Sequence, residues 1–138
     1  MIPALRRWLH RRQYPQRHAQ LDRLLAHQAM DRTALLEMQR QDFAALVRHA
    51  AAHVPYYTRR LGDLTGWDGR PETLPILAKA DVREHLDDLL DRNADRARIG
   101  VGHTGGSTGQ PLAFWYDEAK HELMRAGMMR GFMMSGWR

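Results

Sequence analysis

Between residues 101 and 117 the chain reads VGHTGGSTGQPLAFWYD. Thr104, Ser107 and Thr108 bring hydroxyl donors to this stretch. Gly105, Gly106 and Gly109 permit positive φ and close backbone approach, so that consecutive amide N–H groups can point into one concavity. Such a nest attracts phosphate oxygens and can wrap a polyphosphate without a fixed cation. Gln110 and Pro111 follow Gly109 where a Walker loop requires Lys and then Ser or Thr, which excludes an ordinary P-loop. The dinucleotide fingerprint fails as well, because a second strand follows the glycines where that motif needs a helix. Glycine content alone fits a plain hairpin turn equally well, whereas the order T-G-G-S-T-G-x-P is far more specific.

The elements around the loop follow from periodicity. Ile99 to Gly102 predicts a short strand, and the aromatic and apolar run Leu112 to Tyr116 predicts a second. DEAKHELMRAGMMRGFMMSG then predicts a helix with Asp117 as N-cap. Upstream, Leu36, Phe43, Leu46, Val47, Ala50 and Val54 recur at helical spacing and predict an amphipathic helix over 31–54, closed by Pro55. YYTRRL adds a turn of helix, and Gly62, Gly66 and Gly69 make the next stretch a loop. LPILAKADVREHLDDLL enters extended through Pro75 and predicts a helix over 79–91, with Val82, Leu86, Leu89 and Leu90 on its buried side.

Other side chains offer chemistry with less support. His49 and His53 stand four apart, a spacing that can present two imidazoles to one metal, but no acidic partner accompanies them in a recognisable pattern; solvent-facing histidines on a helix shoulder are the favoured reading. Asp87, Asp88 and Asp91 fit a solvated helix face better than an acid–base pair. His103 reads as a hydrogen bonder at a strand end. Met124, Met128 and Phe132 lie four apart with Met129 and Met133 beside them, a flexible apolar stripe that needs a partner surface.

The bulk numbers narrow the field. At 138 residues and 43% apolar composition the chain suits one small domain. It lacks cysteine, which removes disulfides, thiolate metal sites and cysteine nucleophiles together. Of the charge excess of +5, Arg6, Arg7, Arg11, Arg12 and Arg17 fall in the first twenty residues, which contain no Asp or Glu. There Ile2, Leu5, Trp8 and Leu9 mix with the arginines, as in an amphipathic helix that can lie on anionic lipid, until Pro15 interrupts it. The competing and favoured reading is an exposed, partly ordered leader over 1–30 whose few apolar residues pack on a neighbouring element. No apolar run reaches bilayer length and no secretory signal is evident, so a cytoplasmic location is expected, with peripheral membrane contact through residues 1–20 as an option and no nucleic-acid partner.

The T-G-G-S-T-G-x-P order resembles the phosphate-binding signature of the adenylate-forming (AMP-binding) enzymes. LVRHAAAHVPYYTRRL, LPILAKADVREHLDDLL and GHTGGSTGQPLAFWYD, in this order and spacing, narrow the resemblance to the N-terminal part of the phenylacetate-CoA ligase family, in particular its CapK-type branch associated with capsular polysaccharide loci. The similarity covers residues 31–138. It implies an α/β fold, α+β in the covered part, in which a helical N-terminal region leads to a strand-loop-strand hairpin and a helix. It also implies that Thr104, Gly105, Gly106, Ser107, Thr108 and Gly109 hold the β- and γ-phosphates of ATP while a carboxylate attacks the α-phosphate, with Mg²⁺ offsetting charge and coenzyme A as the acyl acceptor.

The wider superfamily often carries a basic residue just after the proline of this motif, where this chain has Leu112, so the loop is left to act through hydroxyls and amides. Lys79 and Lys120 match no family motif, and the adenine-binding, metal-binding and hinge segments of the family would follow residue 138. The implied reading is an N-terminal portion of a ligase, inactive as an isolated chain or dependent on a complementing polypeptide. A small binding module with a basic leader and a decayed remnant are the alternatives.

Overall fold

In a computed structural model, residues 2–105 and 111–136 are described, with side chains from Leu5 onward. They form six α-helices and one two-stranded antiparallel sheet, a mainly helical α+β arrangement. The helices are α1 (Ile2–Gln13), α2 (Pro15–Gln28), α3 (Arg32–His53), α4 (Pro55–Leu61), α5 (Lys79–Glu84) and α6 (Glu118–Met134). The strands are β1 (Gly100–His103) and β2 (Ala113–Tyr116). Two compact units result, one from residues 1–35 and 117–138, the other from residues 36–116.

In the first unit, α1 stops before Pro15, as the sequence suggests, and a second helix begins there. Pro15 occupies the first turn of α2, where its missing N–H costs nothing and its fixed φ suits the helix. The segment read as a leader therefore holds two helices. α2 packs on α6, with Leu21 and the fully buried Ala126 in the contact. Arg17 and Glu122 close it: Nε donates to Oε2 and Nη2 to Oε1, both at 2.9 Å, in a two-pronged ion pair whose side chains are only 10% and 7% exposed. Arg125 adds a third guanidinium contact to Glu122 at 3.2 Å, and the Arg17 guanidinium lies 4.1 Å from the centre of the Tyr14 ring. Gln28 reaches Met134 further along, so α2 and α6 run parallel. The Glu122–Ala126 side of α6 meets α2, while Met124, Met128 and Phe132 remain about half exposed.

α3 starts under an Asp31 cap on the Ala34 N–H, and the greater part of it, with its buried residue Val47, belongs to the second unit. Val54, Tyr56 and Leu90 complete the small core, whereas Leu36 and Leu46, expected on the buried face, are 49% and 63% exposed. The positive φ angles of Gly62, Gly66 and Gly69 shape the loop after α4. The helix expected over 79–91 is shorter: α5 stops at Glu84, and a single 3₁₀ turn over Asp87–Leu89 carries the chain on. Leu90 is buried by this turn, with Val82, Leu86 and Leu89 half-buried.

Two consequences are measurable. Arg17 above all holds the Glu122 carboxyl below its usual value of 4.5, while burial and then His10 and Arg11 push His18 below the usual 6.5. Both shifts leave the unfolded chain binding more protons than the folded one as the solution is acidified. Stability should be intact above pH 6.5, decline first as His18 takes up its proton, and decline again below 4.5. His18→Gln should remove the first phase in a pH series of urea melts. Glu122→Gln should cost about 3 kcal/mol at neutral pH, because it strands the buried Arg17 charge. The Tyr56 hydroxyl is buried without a partner, so Tyr56→Phe should leave the urea midpoint unchanged or raise it.

Candidate functional site

β1 and β2 pair in the register Gly100 with Tyr116, Val101 with Trp115, Gly102 with Phe114 and His103 with Ala113. The glycines of β1 are explained by this register. A Cβ on Gly100 would sit 2.6 Å from Tyr116 Cζ, and one on Gly102 would sit 2.7 Å from Phe114 Cζ. Each aromatic ring therefore lies across the bare backbone of the glycine opposite it, a cross-strand pairing that gives an otherwise weak strand an apolar cover. On the other face, Trp115 Nε1 donates to the Leu86 carbonyl at 2.7 Å and ties the sheet to the turn after α5.

The hairpin narrows to a neck at Thr104 and Leu112. The Thr104 N–H donates to the Leu112 carbonyl at 2.9 Å, and the Leu112 N–H donates to Thr104 Oγ1 at 3.0 Å. Thr104 is thus a clasp whose hydroxyl oxygen accepts from the backbone, and Leu112 contributes both of its backbone groups to it. Gly105 is exposed, its φ is not positive, and no described atom beyond its chain neighbours lies within 4 Å of an added Cβ. Gly106, Ser107, Thr108 and Gly109 lie outside the described residues. His103 ends β1 in an exposed position opposite Ala113.

α6 starts directly after the hairpin. The Asp117 carboxylate accepts from the Lys120 N–H at 2.7 Å, the N-cap its sequence predicts.

The histidine pair has a different role from either reading of its spacing. His49 Nε2 contacts Asp91 Oδ2 at 2.6 Å, His53 Nδ1 contacts the Asn93 side-chain amide at 3.0 Å, and the Arg92 N–H donates to the His53 carbonyl at 3.0 Å. Together they fasten the end of α3 to the 91–93 turn. The Asn93 N–H, burial and His49 act on Asp91 in that order, with a net downward shift of its carboxyl. The aspartate row is split the same way: Asp88 pairs with Arg59 at 2.5 Å and Asp91 with His49, so these two carboxylates serve as tethers between segments. Among the described residues no group of three histidine or carboxylate side chains could hold a metal ion, and no helix is long and apolar enough to cross a membrane.

The roles of Gly100, Gly102, Asp91 and Asn93 were missed in the sequence. The alternation G-x-G opposite F-x-Y was the available signal for the first two; the other two are joined to α3 only by tertiary structure. No protein-family model, curated protein or solved structure matches the chain.

The clasp can be tested apart from any ligand. Thr104→Val removes the acceptor for the Leu112 N–H and should speed hydrogen exchange at that amide about fivefold, in line with a lost hydrogen bond worth about 1 kcal/mol, while Thr104→Ser should keep it protected. Equal exchange in both variants would show that the hydroxyl does not hold the neck.

Proposed function

We propose that residues 104–109 form the pyrophosphate-binding loop of an AMP-forming ligase that activates a carboxylate with ATP. The observation that carries this reading is the placement of T-G-G-S-T-G-Q-P at the connection of an antiparallel hairpin, with the neck clasped at Thr104 and Leu112. Glycine-rich loops of this kind bind by backbone amides and hydroxyls. They gain when their two ends are fixed beforehand, because less loop entropy is lost as the ligand is enclosed.

In the reaction proposed, a carboxylate oxygen attacks the α-phosphorus of ATP, the bond to the bridging oxygen breaks, and pyrophosphate leaves with the electron pair. A thiol such as coenzyme A then attacks the acyl carbon and AMP departs. The loop acts on the leaving group, where N–H and O–H donors offset negative charge that grows as the bond breaks. Thr104 would position the loop and offer one hydroxyl proton, and Ser107 and Thr108 would donate to phosphate oxygens. Mg²⁺ bound on the nucleotide's own phosphates would supply further charge compensation.

Titration calorimetry of the 138-residue chain with inorganic pyrophosphate tests the loop directly. Weak binding is expected, and Ser107→Ala with Thr108→Ala should reduce it about tenfold or more, since hydrogen bonds to charged groups are worth about 1.5–3 kcal/mol each. Absence of binding by the folded chain, or binding indifferent to the loop substitutions, overturns the proposal. Carboxylate-dependent exchange of pyrophosphate into ATP by a longer polypeptide containing these residues would separate a ligase from a plain phosphate binder.

A further inference from the structure

α1 differs from the helix that follows it. α2 is anchored on α6 by the buried Arg17–Glu122 pair, while Leu5, Trp8 and Leu9 of α1, which share one face, are 58%, 53% and 51% exposed. The expectation that the leader's apolar residues pack on a neighbour therefore fails for these three. Arg12 shares that face, whereas Arg6 and Arg7 lie around the helix on the side that lines a cleft with α2 and α6. Arg6, Arg7, Arg11 and Arg12 lie on the same twelve-residue helix, whose first turn holds no acid, and the Arg12 guanidinium stands 5.4 Å from the centre of the Trp8 ring. Arg11 is engaged with Asp22 of α2, and His10 contacts His18 at 2.8 Å, so α1 is fastened at its C-terminal end.

Between α1, α2 and α6 opens a cleft of about 1150 Å³. Arg6, Arg7 and Arg125 supply positive charge to its lining, and Met128, Met129 and Met133 supply flexible apolar surface. Phosphate beside hydrocarbon is the ligand chemistry that matches both halves. We propose that the exposed Leu5–Trp8–Leu9 face of α1 docks the first unit on a bilayer surface of anionic phospholipid, with α1 lying in the interface, those three side chains among the acyl chains, and the arginines around the helix at headgroup phosphates. A nucleic acid would satisfy the guanidiniums and leave the Leu–Trp face in water, which is why the lipid is favoured. The inference does not depend on the phosphate reading of the β1–β2 loop.

The test is co-sedimentation of the full chain with vesicles of phosphatidylcholine alone or mixed with phosphatidylglycerol, alongside tryptophan emission. Binding to the anionic vesicles should exceed binding to the neutral ones by about tenfold or more and fall in high salt. Arg6→Gln with Arg7→Gln should weaken it about thirtyfold, from about 1 kcal/mol per cation near the surface. Leu5→Ser with Leu9→Ser should weaken it comparably, and the blue shift of emission should disappear in Trp8→Phe. Far-UV circular dichroism identifies variants that remain folded. Equal affinity for both vesicles overturns the proposal. So does binding that ignores the Leu5 and Leu9 substitutions, the behaviour of a general polyanion site that would hold a DNA duplex equally well.

Discussion

The Arg17–Glu122 pair is the constraint on which the arrangement of the chain turns. Its partners lie 105 positions apart, so everything from α3 to β2 is an excursion between the two helices the pair joins. A buried charge pair seldom adds much net stability over an apolar contact of similar size, because desolvation takes back most of the Coulomb gain. Its value here is geometric. Two parallel hydrogen bonds accept one register and one orientation, and Ala126, one turn beyond Glu122, is fully buried and lets the backbones approach. Leucines in place of the ionic partners would hold α2 and α6 together with less restriction on sliding. A slipped register would also leave a charge without its partner, at a penalty large enough to select against it.

How much of this was legible depended on the distance over which each signal acts. The hairpin, the Asp117 cap and α3 were readable, because strand content, a capping side chain and helical periodicity are written within a few residues of where they act. Pro15 marked the end of α1 correctly but gave no sign that it also begins α2, because a proline suits a helix's first turn as well as its stop. Leu46 sits on the periodic face of α3 yet is largely exposed, since a small unit has little surface with which to cover a long helix. Arg17, Glu122, Asp91 and Asn93 gave no local sign at all. Their meaning comes from partners that the fold brings from far along the chain.

Within the hairpin, the glycines divide into kinds that the sequence does not distinguish. Gly100 and Gly102 make room for the rings of Tyr116 and Phe114, so they belong to the architecture of the sheet. Gly105 follows the neck and meets no described atom where a Cβ would sit. The boundary between structure and proposed chemistry falls at Thr104, whose backbone and hydroxyl oxygen close the sheet where the loop proposed to take phosphate begins.

That boundary bears on what kind of anion binding each unit can support. A loop of amides and hydroxyls carries no net charge, so its hold on a phosphate depends on donor geometry and is screened little by salt. The cleft beside α1 works through guanidiniums near solvent, where attraction extends over a Debye length and weakens as ionic strength rises. The first device discriminates by shape and suits a ligand whose phosphates must be placed to within a bond length. The second discriminates poorly among anions and gains its selectivity from the apolar groups beside the charges. Losing a hydroxyl would thus alter how a phosphate is oriented, whereas losing an arginine would alter how strongly a charged surface attracts the chain. The difference in salt response follows from the residue types alone and holds whatever the natural ligands prove to be.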